Sequence, residues 1–190
     1  MGKIVLASNS PRRREILKNI GLEIEVKPSP YKEKHTTTDF SYAYVEDLAY
    51  NKARAVADLY KNTGCVVIGA DTVVVINGKI LGKPKDYDEA YFMLKTLSGV
   101  SHNVVTSIAM INSKSGQKII KSETTTVEFE KLTDSQIRFY IDNFKPFDKA
   151  GAYGIQEMPD GYIKSYKGDI ETVIGLPSKT VLIMLKKLYF

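Results

Sequence analysis

Two nearly continuous apolar runs, Cys65–Ile68 and Thr72–Ile76, constrain the fold of this chain more than any other feature. Runs of this kind are typical of central strands, which are buried on both faces of a sheet. The dipeptide Asn77-Gly78 follows directly and predicts a tight hairpin that returns the chain into a strand over residues 79–81. The sequence therefore predicts a sheet whose longest strands lie in the protein core.

Predicted helices alternate with these strands. Several of them begin at a capping residue or a proline, and they carry one apolar face. They cover residues 11–20, 44–60 and 88–97, a segment opened by the capping box Thr133–Gln136, and a segment from Pro177 to about Leu188. Further strands are predicted over residues 3–7, 103–111 and 118–129. The alternation indicates an α/β protein with a mixed sheet, and 190 residues fit one domain or two closely packed lobes.

The charge balance indicates an anionic partner without defining it. Lys and Arg number 27 against 22 Asp and Glu, which gives a net charge of +5. This excess is too small to distinguish nucleic acid from a nucleotide. The aromatic residues are scattered rather than interleaved with a basic stripe, which disfavours a platform for stacking nucleic-acid bases.

The cysteine and histidine content limits disulfides and metal sites. Cys65 is the single cysteine, so an internal disulfide is excluded, and we expect a small core residue in a reducing compartment. With one cysteine, His35 and His102 cannot form a four-ligand structural zinc site without carboxylates. We expect His35 at the surface, His102 in a turn hydrogen bond, and any divalent cation on Asp and Glu. No apolar stretch approaches membrane-spanning length, so a cytoplasmic protein is expected.

Asp71 is an acid embedded between the two apolar runs. An ionised carboxylate beside a buried strand is costly unless it meets a cation, a metal or several hydrogen-bond donors. Two interpretations stay open. Asp71 either caps a turn between two strands, or it acts as a metal ligand or as a base that activates water. Gly69 and Ala70 are expected to leave room for a ligand near the backbone.

Three arginines occupy the first turn of the helix predicted to begin at Pro11. Arg12, Arg13 and Arg14 lie where the helix dipole already places about half a positive charge, and each costs roughly 0.3–1 kcal/mol at an exposed site. A bound anion makes this arrangement favourable instead of costly, because backbone N–H groups, the dipole and guanidinium groups then all face one phosphate. Either a phosphate site follows the turn Ser8-Asn9-Ser10, or the arginines form a solvated basic face.

The segment Gly78–Pro84 resembles a P-loop only superficially. Three residues separate its two glycines, and Pro84 stands where a P-loop needs Ser or Thr. A Walker-type site is therefore not expected, although Lys83 could reach a phosphate from this loop. Lys52 in an alanine-rich helix and Glu33 in a polar loop carry no signal by themselves.

Several motifs together resemble the Maf family, the septum-formation-inhibitor-like nucleoside triphosphate pyrophosphatases. They occur in the family's order and span almost the whole chain, so their joint match is specific. The matching segments are Ser8–Arg13, Gly69–Thr72, Leu81–Pro84, Ser98-Gly99 with His102, Lys149–Gln156 and Gly175–Pro177. One Maf-like domain over residues 1–190 is therefore expected.

The resemblance implies hydrolysis between the α and β phosphates of a nucleoside triphosphate, which yields the monophosphate and pyrophosphate. It also implies a divalent cation, Mg²⁺ or Mn²⁺, and a homodimer. We expect no stable complex with nucleic acid. The implied fold is an elongated α/β structure around a mixed, curved sheet flanked by helices. The site would lie in a central cleft between two lobes.

The family motifs also imply roles for individual residues. Asp71 matches the catalytic base, and Glu33 falls near an acidic position associated with metal; Asp71 as a metal ligand stays an open alternative. The phosphate-binding positions are matched by Ser8, Ser10, Arg12, Arg13, Lys52 and Lys83. The positions tied to substrate choice are matched by Arg12, Thr72 and Gln156. The ending Gly154-Ile155-Gln156 resembles the branch that acts on dTTP and UTP, and family members also accept modified pyrimidine nucleotides.

A second interpretation is that the protein is a nucleotide- or nucleic-acid-binding regulator of cell division, which binds phosphate without catalysis. It predicts salt-sensitive binding to oligonucleotides. The interpretation as an enzyme instead predicts metal-dependent release of pyrophosphate from dTTP or UTP.

Overall fold

The computed structural model describes residues 2–33 and 37–189, and within these residues seven strands form one mixed sheet. The strands are β1 (Ile4–Leu6), β2 (Ile24–Val26), β3 (Val66–Ile76), β4 (Lys79–Leu81), β5 (Ser101–Asn112), β6 (Lys118–Phe129) and β7 (Ile163–Lys167). Their order is β2-β1-β3-β5-β6-β7, and β4 pairs with the end of β3. β1 runs parallel to β2 and β3, and the remaining pairs are antiparallel.

Helices flank the sheet along the described chain. They are α1 (Pro11–Asn19), α2 (Tyr42–Ala57), α3 (Tyr87–Leu97), α4 (Asp134–Phe144), α5 (Ile170–Ile174) and α6 (Ser178–Tyr189). The predicted capping box is present at α4, where Thr133 Oγ1 accepts from the Gln136 amide and Gln136 Oε1 accepts from the Thr133 amide. The predicted α/β fold with a mixed sheet flanked by helices is confirmed.

β3 is one continuous strand of eleven residues, whereas the apolar runs predicted two separate strands. Asp71 lies in the middle of this strand, opposite Ser107 of β5, so its interpretation as a turn cap is wrong. The strand continues because β5 pairs with it without interruption from Val66 to Val75. This ladder satisfies the backbone groups on either side of Asp71, which a turn would have left to side chains or water.

Gly69 and Asp71 share the face of β3 that lies against α2. A Cβ at Gly69 would be 2.5 Å from the carbonyl oxygen of Ala49 and 2.6 Å from the amide nitrogen of Ala53. The space beside Gly69 is filled by helix backbone, so the expectation that it admits a ligand is wrong. The glycine instead lets α2 approach the sheet closely enough for Lys52 to reach Asp71.

The buried apolar residues form clusters that follow the alternation of the strands. One cluster packs α1 and α6 on one face of the sheet and includes Leu6, Leu17, Ile68 and Leu185. Another packs α2 on the opposite face and includes Val5, Ala53, Cys65 and Val67. A third joins α3 and α4 to the far ends of β3, β5 and β6 and includes Leu94, Phe129 and Ile137. The long strands β3 and β5 thus connect the packing around β1, on both faces of the sheet, with the separate packing of α3 and α4 at their far ends.

The structure also bears on three smaller expectations, for Cys65, for membrane-spanning segments and for His35. Cys65 is a buried core residue, as predicted. Among the described residues, no helix is both long enough and apolar enough to cross a membrane. His35, expected at the surface, lies outside the described residues. The sequence patterns did not predict β7 or α5.

Candidate active site

A cleft of about 830 Å³ lies between the loop after β1, the middle of β3 and the segment 148–157. All the residues proposed for the site from the sequence line this cleft: Ser8, Ser10, Arg12, Arg13, Glu33, Lys52, Asp71, Thr72, Lys83 and Gln156. Arg12 and Arg13 of α1 and Asp71 of β3 therefore share one cavity. Their individual roles stay predictions.

Lys52 connects two carboxylates at the floor of the cleft. Its Nζ donates a hydrogen bond to Asp71 Oδ1 and lies 2.7 Å from Glu33 Oε1. The Lys52 and Asp71 side chains are only 13% and 10% exposed. Buried charges of this kind are stable when they are paired and hydrogen-bonded. The close packing of α2 on Gly69 is what brings the Lys52 ammonium to this position.

The surroundings of Asp71 shift its proton affinity. Burial raises the pKa of the Asp71 carboxyl above its ordinary value. The cations Lys52 and Arg13 oppose this rise, whereas the Glu33 carboxylate adds to it. A carboxylate with a raised pKa holds a transferred proton more strongly. The position therefore suits a proton acceptor.

Arg13 ties three segments of the chain together. Its Nε and Nη1 atoms donate to the backbone oxygens of Gly175 and Ala70, both at 2.9 Å. Nη1 also donates to Ser8 Oγ at 3.3 Å, and Nη2 donates to Thr72 Oγ1 at 3.1 Å. These bonds use four of the five N–H donors of a guanidinium group. Arg13 thus joins the loop after β1 to β3 and to the loop before α6.

The three arginines of α1 have different surroundings. Arg13 is held by protein oxygens, Arg14 is exposed, and Arg12 Nη1 lies 3.7 Å from Asp148 Oδ2 across the cleft. The first turn of α1 contains no acid of its own. The positive end of the helix dipole therefore disfavours the charge of Arg12 more than that of its neighbours, because Arg13 already has oxygen partners and Arg14 is solvated.

Ser8 and Ser10 shape the loop that enters α1. Ser10 Oγ accepts from the Arg13 amide at 3.4 Å and caps the helix, as predicted. Ser8 Oγ accepts from the Ser10 amide at 3.1 Å. The loop is therefore held by its own hydroxyls, with the start of α1 lining the cleft.

The Thr72 hydroxyl belongs to a chain of hydrogen bonds inside the cleft wall. It accepts from Arg13 and lies 2.8 Å from Thr106 Oγ1. Thr106 Oγ1 in turn donates to the carbonyl oxygen of Thr172 at 2.7 Å. Because the Thr106 proton is used there, Thr72 must donate its own proton to Thr106. Both hydrogen-bonding functions of the Thr72 hydroxyl are thus engaged by protein atoms.

Lys149 is a buried cation that sequence reasoning did not assign to the site. Its Nζ lies 2.9 Å from Asp148 Oδ1 and 3.0 Å from Glu157 Oε2, and its side chain is 8% exposed. All three residues line the cleft. Lysine is rarely buried unless it is paired, but the sequence does not reveal which lysine is buried. The available signal was the place of Lys149 at the start of the motif that ends in Gln156.

His102 lies within β5 rather than in a turn, so the expectation of a turn hydrogen bond is wrong. Its Nε2 is 2.7 Å from the Tyr153 hydroxyl, and the ring packs edge-on against Phe129. Burial lowers the pKa of His102 to about 4. The ring is therefore neutral near neutral pH and supports Tyr153, which lines the cleft.

The acids of the cleft fit a cation that binds together with phosphate. Within residues 2–33 and 37–189, no cluster of three or more His, Cys, Asp or Glu could hold a metal ion by itself. Asp71 and Glu33 nevertheless converge on the same ammonium group. Mg²⁺ commonly takes one or two carboxylates and completes its shell with water and substrate phosphates. Two carboxylates are sufficient for a site of that kind.

The fold and the cleft define an α/β protein with a large charged cavity, and the chain belongs to the Maf family: it matches the family described as "Maf-like protein" over residues 3–188. A relative named dTTP/UTP pyrophosphatase, from Thermoanaerobacter sp. (strain X514), is 46% identical over 185 residues, which are 97% of this chain and 96% of the relative. Another of that name, from Alkaliphilus oremlandii (strain OhILAs), is 45% identical over 177 residues, which are 93% and 91% of the two chains. The resemblance inferred from the motifs is confirmed.

A solved structure also resembles this fold. The HAM1 protein from Coxiella burnetii superposes with a TM-score of 0.55 at 18% identity, and the match covers 98% of this chain and 100% of that chain. At this level of identity the likeness concerns the fold alone.

Proposed function

We propose that this protein hydrolyses dTTP and UTP, and modified pyrimidine nucleotides of the same class, to the monophosphate and pyrophosphate. The observation that carries the proposal is the shared cleft, in which Asp71 and Lys52 face the cationic start of α1. The names of the relatives, which are 42–46% identical over most of the chain, supply the substrate class.

The proposed phosphate-binding set is Ser8, Ser10, Arg12, Arg13, Lys52 and Lys83. The backbone N–H of Arg12 at the start of α1 and the Arg12 guanidinium would face the same phosphate oxygens, since Pro11 has no N–H and the Arg13 amide already donates to Ser10 Oγ. Lys83 is an exposed residue of the cleft lining, and its ammonium group would bind the leaving pyrophosphate. Arg13 belongs to this set mainly through its bond to Ser8 Oγ, which holds the loop in place, because protein oxygens already take four of its five N–H donors.

Asp71 is the proposed general base. It would take a proton from the water that attacks the α-phosphorus, while the bond from that phosphorus to the α,β-bridging oxygen breaks and pyrophosphate leaves. The raised pKa of Asp71 favours retention of the proton. Lys52, which contacts the same carboxylate, would stabilise charge that develops on the leaving group.

The charge in the cleft supports a divalent cation. The lining side chains include six cations, Arg12, Arg13, Lys52, Lys83, Lys85 and Lys149, and five acids, Glu33, Asp71, Glu89, Asp148 and Glu157. A triphosphate brings roughly four negative charges near neutral pH, and its metal ions neutralise charge on the phosphate oxygens. Glu33 and Asp71 are the residues that would hold Mg²⁺ or Mn²⁺. We assign Glu33 as the main ligand, because Asp71 is needed as a base.

Substrate choice is proposed to depend on Arg12, Thr72 and Gln156. Gln156 is exposed within the cleft, so its amide can offer both donors and an acceptor to a pyrimidine edge. The Thr72 hydroxyl is engaged by Arg13 and Thr106, so we propose that Thr72 acts by shaping the wall. A single domain over residues 1–190, a homodimer, a cytoplasmic location and the absence of a stable nucleic-acid complex all stay predictions.

The test is incubation of the protein with a panel of nucleoside triphosphates and Mn²⁺, followed by direct measurement of pyrophosphate and monophosphate. The proposal predicts release of pyrophosphate from dTTP and UTP ahead of purine nucleotides. Release of orthophosphate would point to a different chemistry. Absence of turnover, together with salt-sensitive oligonucleotide binding, would support the regulator instead.

A further inference from the structure

Lys149 holds two ends of the cleft wall together through its charge. Its ammonium group lies between Asp148 Oδ1 at 2.9 Å and Glu157 Oε2 at 3.0 Å. The Lys149 side chain is 8% exposed, whereas the side chains of Asp148 and Glu157 are 64% and 37% exposed. The ammonium of Lys149 is thus the buried member of the group, and the more exposed carboxylates of Asp148 and Glu157 both contact it.

The aliphatic part of Lys149 supports the same segment. A Cβ at Gly154 would lie 2.9 Å from Lys149 Cε and 3.0 Å from Cδ, so the backbone rests directly on the lysine stem. The Gly154 amide donates to the Tyr140 hydroxyl at 3.0 Å, and the Glu157 amide donates to the Gly154 carbonyl at 2.9 Å. The turn from Gly154 to Glu157 is therefore anchored at both ends, once on the stem and once on the ammonium.

Gln156 lies between these two anchors and is itself exposed to the cleft. At the other end of the group, Asp148 Oδ2 lies 3.7 Å from Arg12 Nη1. A row of alternating charges, Arg12, Asp148, Lys149 and Glu157, therefore connects the start of α1 with the turn that carries Gln156. This row ties the position of Gln156 to that of Arg12 through three ion pairs.

We infer that Lys149 is a positioning residue for nucleotide selection: its buried ammonium fixes the turn Gly154–Glu157 and thereby the place of Gln156. The inference rests on the proposed pyrophosphatase function. Lys149 need not contact the substrate, since its ammonium is already paired with two carboxylates. Its effect falls on which nucleotide is accepted rather than on the attack at phosphorus, because Asp71 lies on β3 at another wall of the cleft.

The test compares Lys149→Met, which keeps the stem and removes the charge, with Lys149→Arg, which keeps the charge. Steady-state kcat and KM are measured for dTTP, UTP and CTP, and folding is checked by thermal unfolding. For Lys149→Met we expect KM for dTTP and UTP to rise about tenfold, kcat to change less than about threefold, and the preference for UTP over CTP to fall about tenfold. Lys149→Arg should recover most of the selectivity.

Two further variants separate positioning from simple charge balance. Glu157→Gln removes one anchor at a half-exposed site, so it stays informative if Lys149→Met does not fold, and it should lose selectivity in the same way. The double variant Lys149→Met with Glu157→Gln restores the charge balance without restoring the anchor, and it should stay unselective. Wild-type selectivity in Glu157→Gln or in the double variant would overturn the inference.

The outcomes also distinguish this inference from the proposed function. A wild-type protein that releases no pyrophosphate from any nucleotide contradicts the proposed function, and the inference with it. A wild-type protein that is active, with a Lys149→Met variant whose kcat falls equally for all nucleotides at unchanged selectivity, contradicts the inference alone.

Discussion

Gly69 of β3 lies directly beneath Ala53 of α2, with no space for a side chain between them. A Cβ at Gly69 would be 2.6 Å from the Ala53 amide nitrogen and 2.9 Å from its Cβ. This close approach sets the height of α2 above the sheet. It is also what allows Lys52, the residue before Ala53, to reach the Asp71 carboxylate two residues further along the strand.

Gly69→Ala should therefore destabilise the protein and misplace Lys52. The new methyl group would meet helix backbone rather than a flexible side chain, so α2 must shift, at a cost of roughly 1–3 kcal/mol. Urea unfolding measures the loss of stability. Gly82→Ala is the matched control, because a Cβ there meets nothing within 4 Å. Equal stability of the two variants would contradict the packing argument.

Asp71→Asn should abolish pyrophosphate release while nucleotide binding is largely kept. Loss of a general base typically lowers kcat by about a hundredfold or more. Turnover is measured by pyrophosphate release, and binding is measured by calorimetry. Asp47→Asn, an exposed acid on α2, is the control and should be as active as wild type. Retained turnover in Asp71→Asn would remove Asp71 from the mechanism.

The same substitution has a predicted effect on stability. Burial raises the pKa of Asp71 in the folded state, so the folded protein binds this proton more strongly than the unfolded chain does. The contribution of Asp71 to stability is therefore present at acidic pH and is lost as the pH rises through its folded pKa. Relative to wild type, Asp71→Asn should therefore be more stable in urea at pH 7 than at pH 4. A variant that is less stable at pH 7 than at pH 4, relative to wild type, would contradict this expectation.

Arg13→Lys should be strongly destabilising even though the charge is kept. A lysine cannot reproduce a fork that donates to Gly175 O, Ala70 O and Thr72 Oγ1 at once. Leaving such acceptors unpaired costs about 2–4 kcal/mol in total. Thermal and urea unfolding provide the measurement. The neighbouring exposed Arg14, changed to Lys, is the control and should shift stability by less than about 0.5 kcal/mol.

His102 should make the stability of the protein fall as the pH is lowered from 6.5 towards 4. Burial lowers its folded pKa to about 4 from an ordinary value of 6.5, so the unfolded chain takes up a proton that the folded protein refuses. The contribution of neutral His102 to stability is fully present above pH 6.5. Between pH 6.5 and pH 4, roughly 3 kcal/mol of the free energy of unfolding is lost. Urea unfolding at several pH values measures the slope. His102→Asn can still form a hydrogen bond with Tyr153, and it should remove the loss of stability between pH 6.5 and 4. An unchanged pH dependence in this variant would show that another group is responsible.

Much of the local structure was predictable. Ser10 as the cap of α1, the hairpin at Asn77-Gly78 and the capping box at Thr133 all depend on residues within a few positions of one another, and all three occur in the structure. The prediction of two strands around Asp71 was wrong for the opposite reason. A polar residue among apolar ones signals a turn locally, but the long partner strand β5 kept the backbone extended.

The members of the candidate site belong to the family motifs, so the sequence identifies them, but it does not reveal their surroundings. Arg13 was expected to face phosphate, and its guanidinium is instead largely occupied by protein oxygens. The sequence does not distinguish Lys149 from the other lysines, because nothing in a lysine's neighbouring residues signals burial. Its partners became evident only when the chain had folded back on itself.

The sequence by itself determined the periodicity of the strands and helices, their caps, and membership of the family, because these properties are carried by neighbouring residues and by motifs in fixed order. Only the tertiary structure decided which charges meet. Lys52 and Asp71 are 19 residues apart, and Arg13 and Gly175 are 162 residues apart. Such pairs form because a strand order and a glycine-mediated close approach bring them together, and no local pattern encodes the resulting distances.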